Sequence, residues 1–79
     1  MTLIESEFLR FVDITPSGRK TKVTDIYSVH HGNALGQISW YGAWRQYCFK
    51  PNSGTIWNTA CLETVNANIK MLMDERKNK

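Results

Sequence analysis

Several things that small proteins use to build a site are scarce here. Only two of the 79 residues are cysteine, two are proline and two are histidine. Cys48 and Cys61 are too few for a disulfide framework. Neither belongs to a CxxC pair and no HxxxH spacing occurs, so the ligand pattern of a zinc site is missing. His30 and His31 are adjacent, and on an extended strand they point to opposite faces, away from any shared ion. No metal and no other cofactor is expected. The five glycines stand singly at turns, which leaves no glycine-rich phosphate loop. No apolar run is long enough to span a bilayer and nothing reads as a signal peptide, so membrane association is not expected. The expected compartment is the cytoplasm, with both thiols reduced and mostly buried; a Cys48–Cys61 disulfide is the alternative. Neither an internal repeat nor a low-complexity linker is present.

The acidic residues do not converge either. Glu5, Glu7, Asp13 and Asp25 fall in separate segments, and Asp74 and Glu75 sit near the C-terminus. Paired-carboxylate catalysis needs both groups on one surface at a set separation. Cys48 could meet His30 or His31 across strands, but a nucleophilic thiol needs an electropositive, partly exposed pocket, and a buried apolar role is the plainer one. The chain reads as a non-enzyme.

What is present is aromatic side chains. Three Trp, three Tyr and three Phe give one domain of 79 residues dense packing, which a core this small needs. The net charge of +3 and pI of about 9.1 exclude a DNA mimic, and they permit nucleic-acid binding without requiring it.

The organising stretch is Gly36 to Phe49. It reads as a β-hairpin with Gly42-Ala43 as a two-residue type II′ turn, because Gly supplies the positive φ of the first turn position. That register pairs Tyr41 with Trp44, Trp40 with Arg45 and Ile38 with Tyr47. Ile38, Trp40, Arg45, Tyr47 and Phe49 then share the core face. Gln37, Ser39, Tyr41, Trp44, Gln46 and Cys48 share the outer one.

Phe8 to Thr15 is rich in aromatic and β-branched residues and is read as a strand, with Pro16-Ser17-Gly18 turning the chain into a second strand. A helix is the competing reading, since Ile4, Phe8, Phe11 and Val12 have helical spacing and Thr2 with Glu5 could form a capping box. In the second strand, Val23, Asp25, Tyr27 and Val29 share one face; Thr24, Ile26 and Ser28 share the other. His30 to Asn33 is a turn. Thr55 to Trp57 is a short extended segment that could form an edge strand. Asn58 or Thr59 caps a helix whose apolar stripe is Cys61, Leu62, Val65, Ile69, Leu72 and Met73, with Asn66, Asn68 and Lys70 pointing away. The expected fold is α+β: an antiparallel meander of about four strands (7–15, 22–29, 35–41, 44–50) packed on one C-terminal helix (59–76).

Trp40-Tyr41-x-x-Trp44-Arg45-x-Tyr47-x-Phe49, followed by Pro51 and by Cys61-Leu62 at a helix start, resembles a group of small, mostly uncharacterised proteins encoded by bacteriophages and prophages. The resemblance covers about residues 35–75. It implies a phage or prophage origin and action in the cytoplasm of an infected bacterium, and it brings no catalytic residues.

The candidate binding residues are Tyr41 and Trp44 as an aromatic pair at the hairpin tip, Arg45 beside them, and the basic run Arg19, Lys20 and Lys22. The competing role of the pair is to stabilise the hairpin, and that of the basic run is a solvated loop. A protein partner is the first expectation, because Tyr, Trp and Arg dominate interface hot spots. The chain would then be an adapter or inhibitor of a host or phage complex, including a host defence, and pairing of edge strands into a homodimer is open to it. Single-stranded nucleic acid is second: bases stack on exposed rings while cations track the backbone, provided that Arg19, Lys20, Lys22, Arg45 and Lys50 share a face.

Overall fold

The computed structural model describes residues 7–77, with the side chain of Lys77 left out. The expected N-terminal contributions of Thr2, Ile4 and Glu5 lie outside these residues. Four strands, β1 (Leu9–Asp13), β2 (Val23–Ser28), β3 (Ala34–Tyr41) and β4 (Gln46–Pro51), precede one helix, α1 (Thr59–Lys77). The strands form one antiparallel sheet in the order β1-β2-β3-β4, the meander expected from the sequence. The helix packs chiefly along β4.

The pairs Phe11↔Ile26, Thr24↔Ile38 and Ile38↔Phe49 put Leu9, Phe11, Thr24, Ile26, Ile38, Trp40, Tyr47 and Phe49 on the helix-covered face. Leu9, Phe11, Ile26, Ile38, Tyr47, Val65 and Leu72 form the buried core. A bulge between Ile26 and Tyr27 leaves Leu35 without a partner on β2, and Leu35 packs against the core. Gly36 lies beneath the Phe49 ring: a Cβ there would come within 2.7 Å of Cε1 of Phe49 and 2.9 Å of the Lys50 carbonyl oxygen. The other face is bare of helix among the described residues, although Val23 and Ser39 are buried on it. There Asp25 accepts hydrogen bonds from the Tyr27 hydroxyl (3.2 Å) and from Nε2 of Gln37 (3.0 Å).

The hairpin differs from its expected form. Tyr41 pairs with Gln46, not with Trp44, so the loop is residues 42–45 and not Gly42-Ala43 alone. The left-handed conformation falls on Arg45 (φ 52), not on Gly42. Trp44 and Arg45 therefore leave β4, and Arg45 has no place on the core face. The pairing slips by two residues, a whole period of the pleat, so Ile38, Trp40, Tyr47 and Phe49 still face the helix.

Asn58 caps the helix as expected, its Oδ1 accepting from the Cys61 N–H at 2.9 Å. Asn68, expected to point away, is 0% exposed and donates through Nδ2 to the Thr64 carbonyl at 3.0 Å. Positions 65, 68 and 72 form the innermost row, so the stripe runs through a polar residue that satisfies its amide on the turn above. Leu62, expected in the stripe, sits at its margin and is 45% exposed. Residues 55–58 form no strand; Trp57 instead stands edge-on to Phe49 at 4.6 Å.

Candidate functional site

Chain direction decides what meets what. In this meander the β1–β2 connection (14–22), the β3–β4 loop (42–45) and the C-terminal end of α1 all lie at one end of the sheet. Five of the six candidate residues come from the first two of these segments, Tyr41 ends β3 next to the second, and the third adds Arg76.

The β1–β2 connection is held from both sides. Pro16 to Arg19 is a turn closed by the Arg19 N–H on the Pro16 carbonyl (3.2 Å), with Gly18 at φ 83 in the position where a type II turn needs glycine. Asp13 accepts from both the N–H and the hydroxyl of Thr15, and this holds its carboxyl below the usual range, with Lys22 nearby adding a smaller pull. The buried Tyr47 hydroxyl accepts the Lys22 N–H at 2.9 Å, which ties the end of the basic run to β4.

A stack runs outward from that tie. Trp40 stands edge-on to Tyr47 at 5.3 Å, and the Arg76 guanidinium lies over the Trp40 ring at 4.1 Å. This is cation–π geometry. Arg76 lines two adjoining open depressions. One is shared with Trp40, Gly42 and Arg45. The other is shared with Arg19, Lys20 and Lys22. Arg76 thus joins the hairpin loop to the basic run. Among the described residues the one ion pair is Lys22 Nζ to Asp13 Oδ2 at 3.8 Å, half-exposed on both sides. Glu75 borders the same end beside Lys20, Lys22 and Arg76.

Tyr41 and Trp44 are in contact, though not as a cross-strand pair. Tyr41 ends β3 on the bare face and Trp44 lies in the loop, with ring centroids 5.1 Å apart and planes at 90°. They are 41% and 66% exposed. Perpendicular rings can contact through only one edge and one face, so at least one face of the Trp44 indole is left open by Tyr41.

Lys50 does not join this end. It pairs with Gln37, four residues along β4 from Gln46, or about 13 Å away. Cys48 is half-buried on the bare face opposite Ser39, a less buried position than expected, and Cys61 is half-buried against the core; both are free thiols. The His30–His31 turn precedes Ala34, five residues along β3 from Ser39, so these histidines and Cys48 lie about 17 Å apart. Among the described residues no three His, Cys, Asp or Glu side chains gather as metal ligands, and no helix is long and apolar enough to cross a membrane.

Arg76 and Trp40 are the residues that sequence reasoning missed at this end. Their signal was topological: a helix that follows an even-stranded meander and folds back along its last strand returns its C-terminus to the hairpin loop.

The fold is a four-stranded antiparallel meander backed by one helix, with an end where basic and aromatic side chains meet. Over 77 residues the chain is 34% identical to the uncharacterised 9.3 kDa protein of Acholeplasma phage L2, a match covering 98% of this chain and 99% of that protein. The chain belongs to that family of small phage proteins. No family model matches it, and no solved structure matches it.

Proposed function

We propose that this chain is a non-enzymatic accessory protein that docks its basic, aromatic end onto a larger anionic partner in the infected cell, as an adapter or an inhibitor. The observation that carries this reading is the convergence of Arg19, Lys20, Lys22, Arg45 and Arg76 around two depressions that share Arg76. Like charges gathered on a short stretch of surface repel one another, and an anionic partner relieves that repulsion. Only Lys22 has an acidic partner within ion-pair distance among the described residues. Trp44, Tyr41 and Arg45 add the residue types that dominate recognition surfaces.

The test is to map the backbone amide resonances during addition of heparin, a polyanion with no sequence and no bases. Shifts concentrated at residues 19–22, 42–45 and 72–76 support the reading. Shifts confined to the bare sheet face or to the opposite end, or none at low salt, would overturn it.

A further inference from the structure

We infer that the anionic partner is a single-stranded polynucleotide, with one base stacked on Trp44 and the sugar–phosphate backbone following Arg45, Arg76, Lys20 and Arg19; this rests on the docking end proposed above. An acidic protein would also be drawn to the cations, so the arrangement of rings and charges has to decide. Trp44 is 66% exposed, and its contact with Tyr41 leaves at least one indole face open. An exposed indole in the same short loop as Arg45 matches what an unpaired base and its phosphates require: a stacking platform followed by backbone contacts.

Shared depressions connect the cations to that loop. Arg45 is the residue after Trp44, and its left-handed backbone (φ 52) ends the loop. Arg45 shares a depression with Arg76, and Arg76 shares the next with Lys20 and Arg19. Arg76 lies over Trp40, a cation–π contact that favours this placement of the guanidinium before the ligand arrives. A base paired within a duplex has no free face to offer Trp44, so the inference predicts preference for single strands. Stacking tolerates every base, so little sequence preference is expected.

The experiment is a fluorescence-anisotropy titration of the intact chain against labelled oligothymidylate of about twelve nucleotides, a length within the range that one such surface covers. Oligouridylate, the matching duplex and polyglutamate are the comparison ligands. Four cations, at about 0.7 each, give an expected slope of about −3 for log affinity against log salt. Trp44→Ala should weaken single-strand binding about tenfold, the loss of one stacked base, while Trp44→Phe keeps part of it. Melting and circular dichroism of both variants check that the fold survives; if Trp44→Ala does not fold, Arg19→Ala with Lys20→Ala should lower the slope by about 1.4.

Oligothymidylate and oligouridylate tell a DNA ligand from an RNA ligand, and binding of either upholds the inference. Equal binding of duplex, or a folded Trp44→Ala variant of unchanged affinity, overturns it. Preference for polyglutamate overturns it too but leaves the anionic docking end standing. If neither heparin nor any of these ligands binds at low salt, both readings fall.

Discussion

The two ends of the sheet are built from similar materials and are finished differently. At the end holding residues 52–58, Trp57 and Phe49 are drawn inward, while Phe8 and Ile56 stay exposed. Trp57 stands against Phe49, Phe49 covers Gly36, and the indole N–H of Trp57 donates to the Thr55 hydroxyl at 2.8 Å. At the other end Trp40 and Tyr47 are drawn inward in the same way, but the loop carries Trp44 out into solvent, and Arg45 and Arg76 meet beside Gly42 and Trp40. Packing accounts for Trp57 and Phe49. The contact with Tyr41 covers only part of Trp44, and packing gives no reason for cations kept together. The difference separates residues that make the fold from residues the fold presents. A change at the packed end should alter stability and spare binding; a change at the basic end should do the reverse.

Gly36→Ala should have the largest effect. The new Cβ meets the Phe49 ring and two backbone atoms of β4, and a backbone in mid-sheet cannot move aside cheaply. Overpacking of this kind costs about 2 kcal/mol, or roughly 10 °C in a domain of this size. Thermal unfolding measures it. Polyanion affinity at a temperature where the variant is folded should match that of the parent. A large loss of affinity would mean that the two ends are coupled through β3 and β4.

The reach of sequence reasoning divides along the same line. The meander and the helix were legible because alternation and helical spacing report burial, and burial makes the core. The face assignment survived a wrong turn for that reason: slipping by two residues changes every partner and no face. The turn itself was misread because Gly42 looked like the residue that would supply a positive φ, whereas Arg45 does so. Loop geometry is set by the strands it must join, and the local sequence carries little of that. Asn68 was misread because its amide is satisfied by a carbonyl of its own helix, a contact that hydrophobic spacing cannot register. The binding end was half legible. Tyr41, Trp44 and the basic run stand out by residue type, but their meeting through Arg76 depends on the path of the whole chain.

Arg45→Gly sharpens the comparison at a smaller scale. A left-handed backbone costs a non-glycine residue about 1 kcal/mol, which glycine relieves. Glycine also loosens the unfolded chain, which takes back roughly 0.4–1 kcal/mol. Stability should therefore stay within about 0.5 kcal/mol of the parent. Binding should weaken, with the salt slope smaller by about 0.7, as expected on removing one cation from a single-strand track. An arginine kept where glycine would be relaxed is then explained by its charge. If Arg45→Gly binds as the parent does, the strain has no such purpose and Arg45 leaves the site.

Asp13 gives the smallest effect, and it sits where the fold and the binding surface meet. Its carboxyl is held below the usual range, first by the Thr15 hydroxyl, then by the Thr15 N–H, with Lys22 contributing least. A carboxyl depressed in the folded state stabilises the fold above its unfolded value near 3.8, and that contribution disappears as pH falls through the folded value. The parent should therefore lose stability more steeply than Asp13→Asn below about pH 4, while above that range the variant should be the less stable of the two. Melting curves over that interval check the sign, and parallel acid limbs would remove Asp13 from the account. At neutral pH the same substitution frees Lys22 from its ion pair, whose strength on an exposed surface is about 0–1 kcal/mol. Polyanion affinity should then rise by less than about fivefold. Such a variant would be slightly weaker as a fold and slightly better as a binder, which separates the two roles at a single side chain.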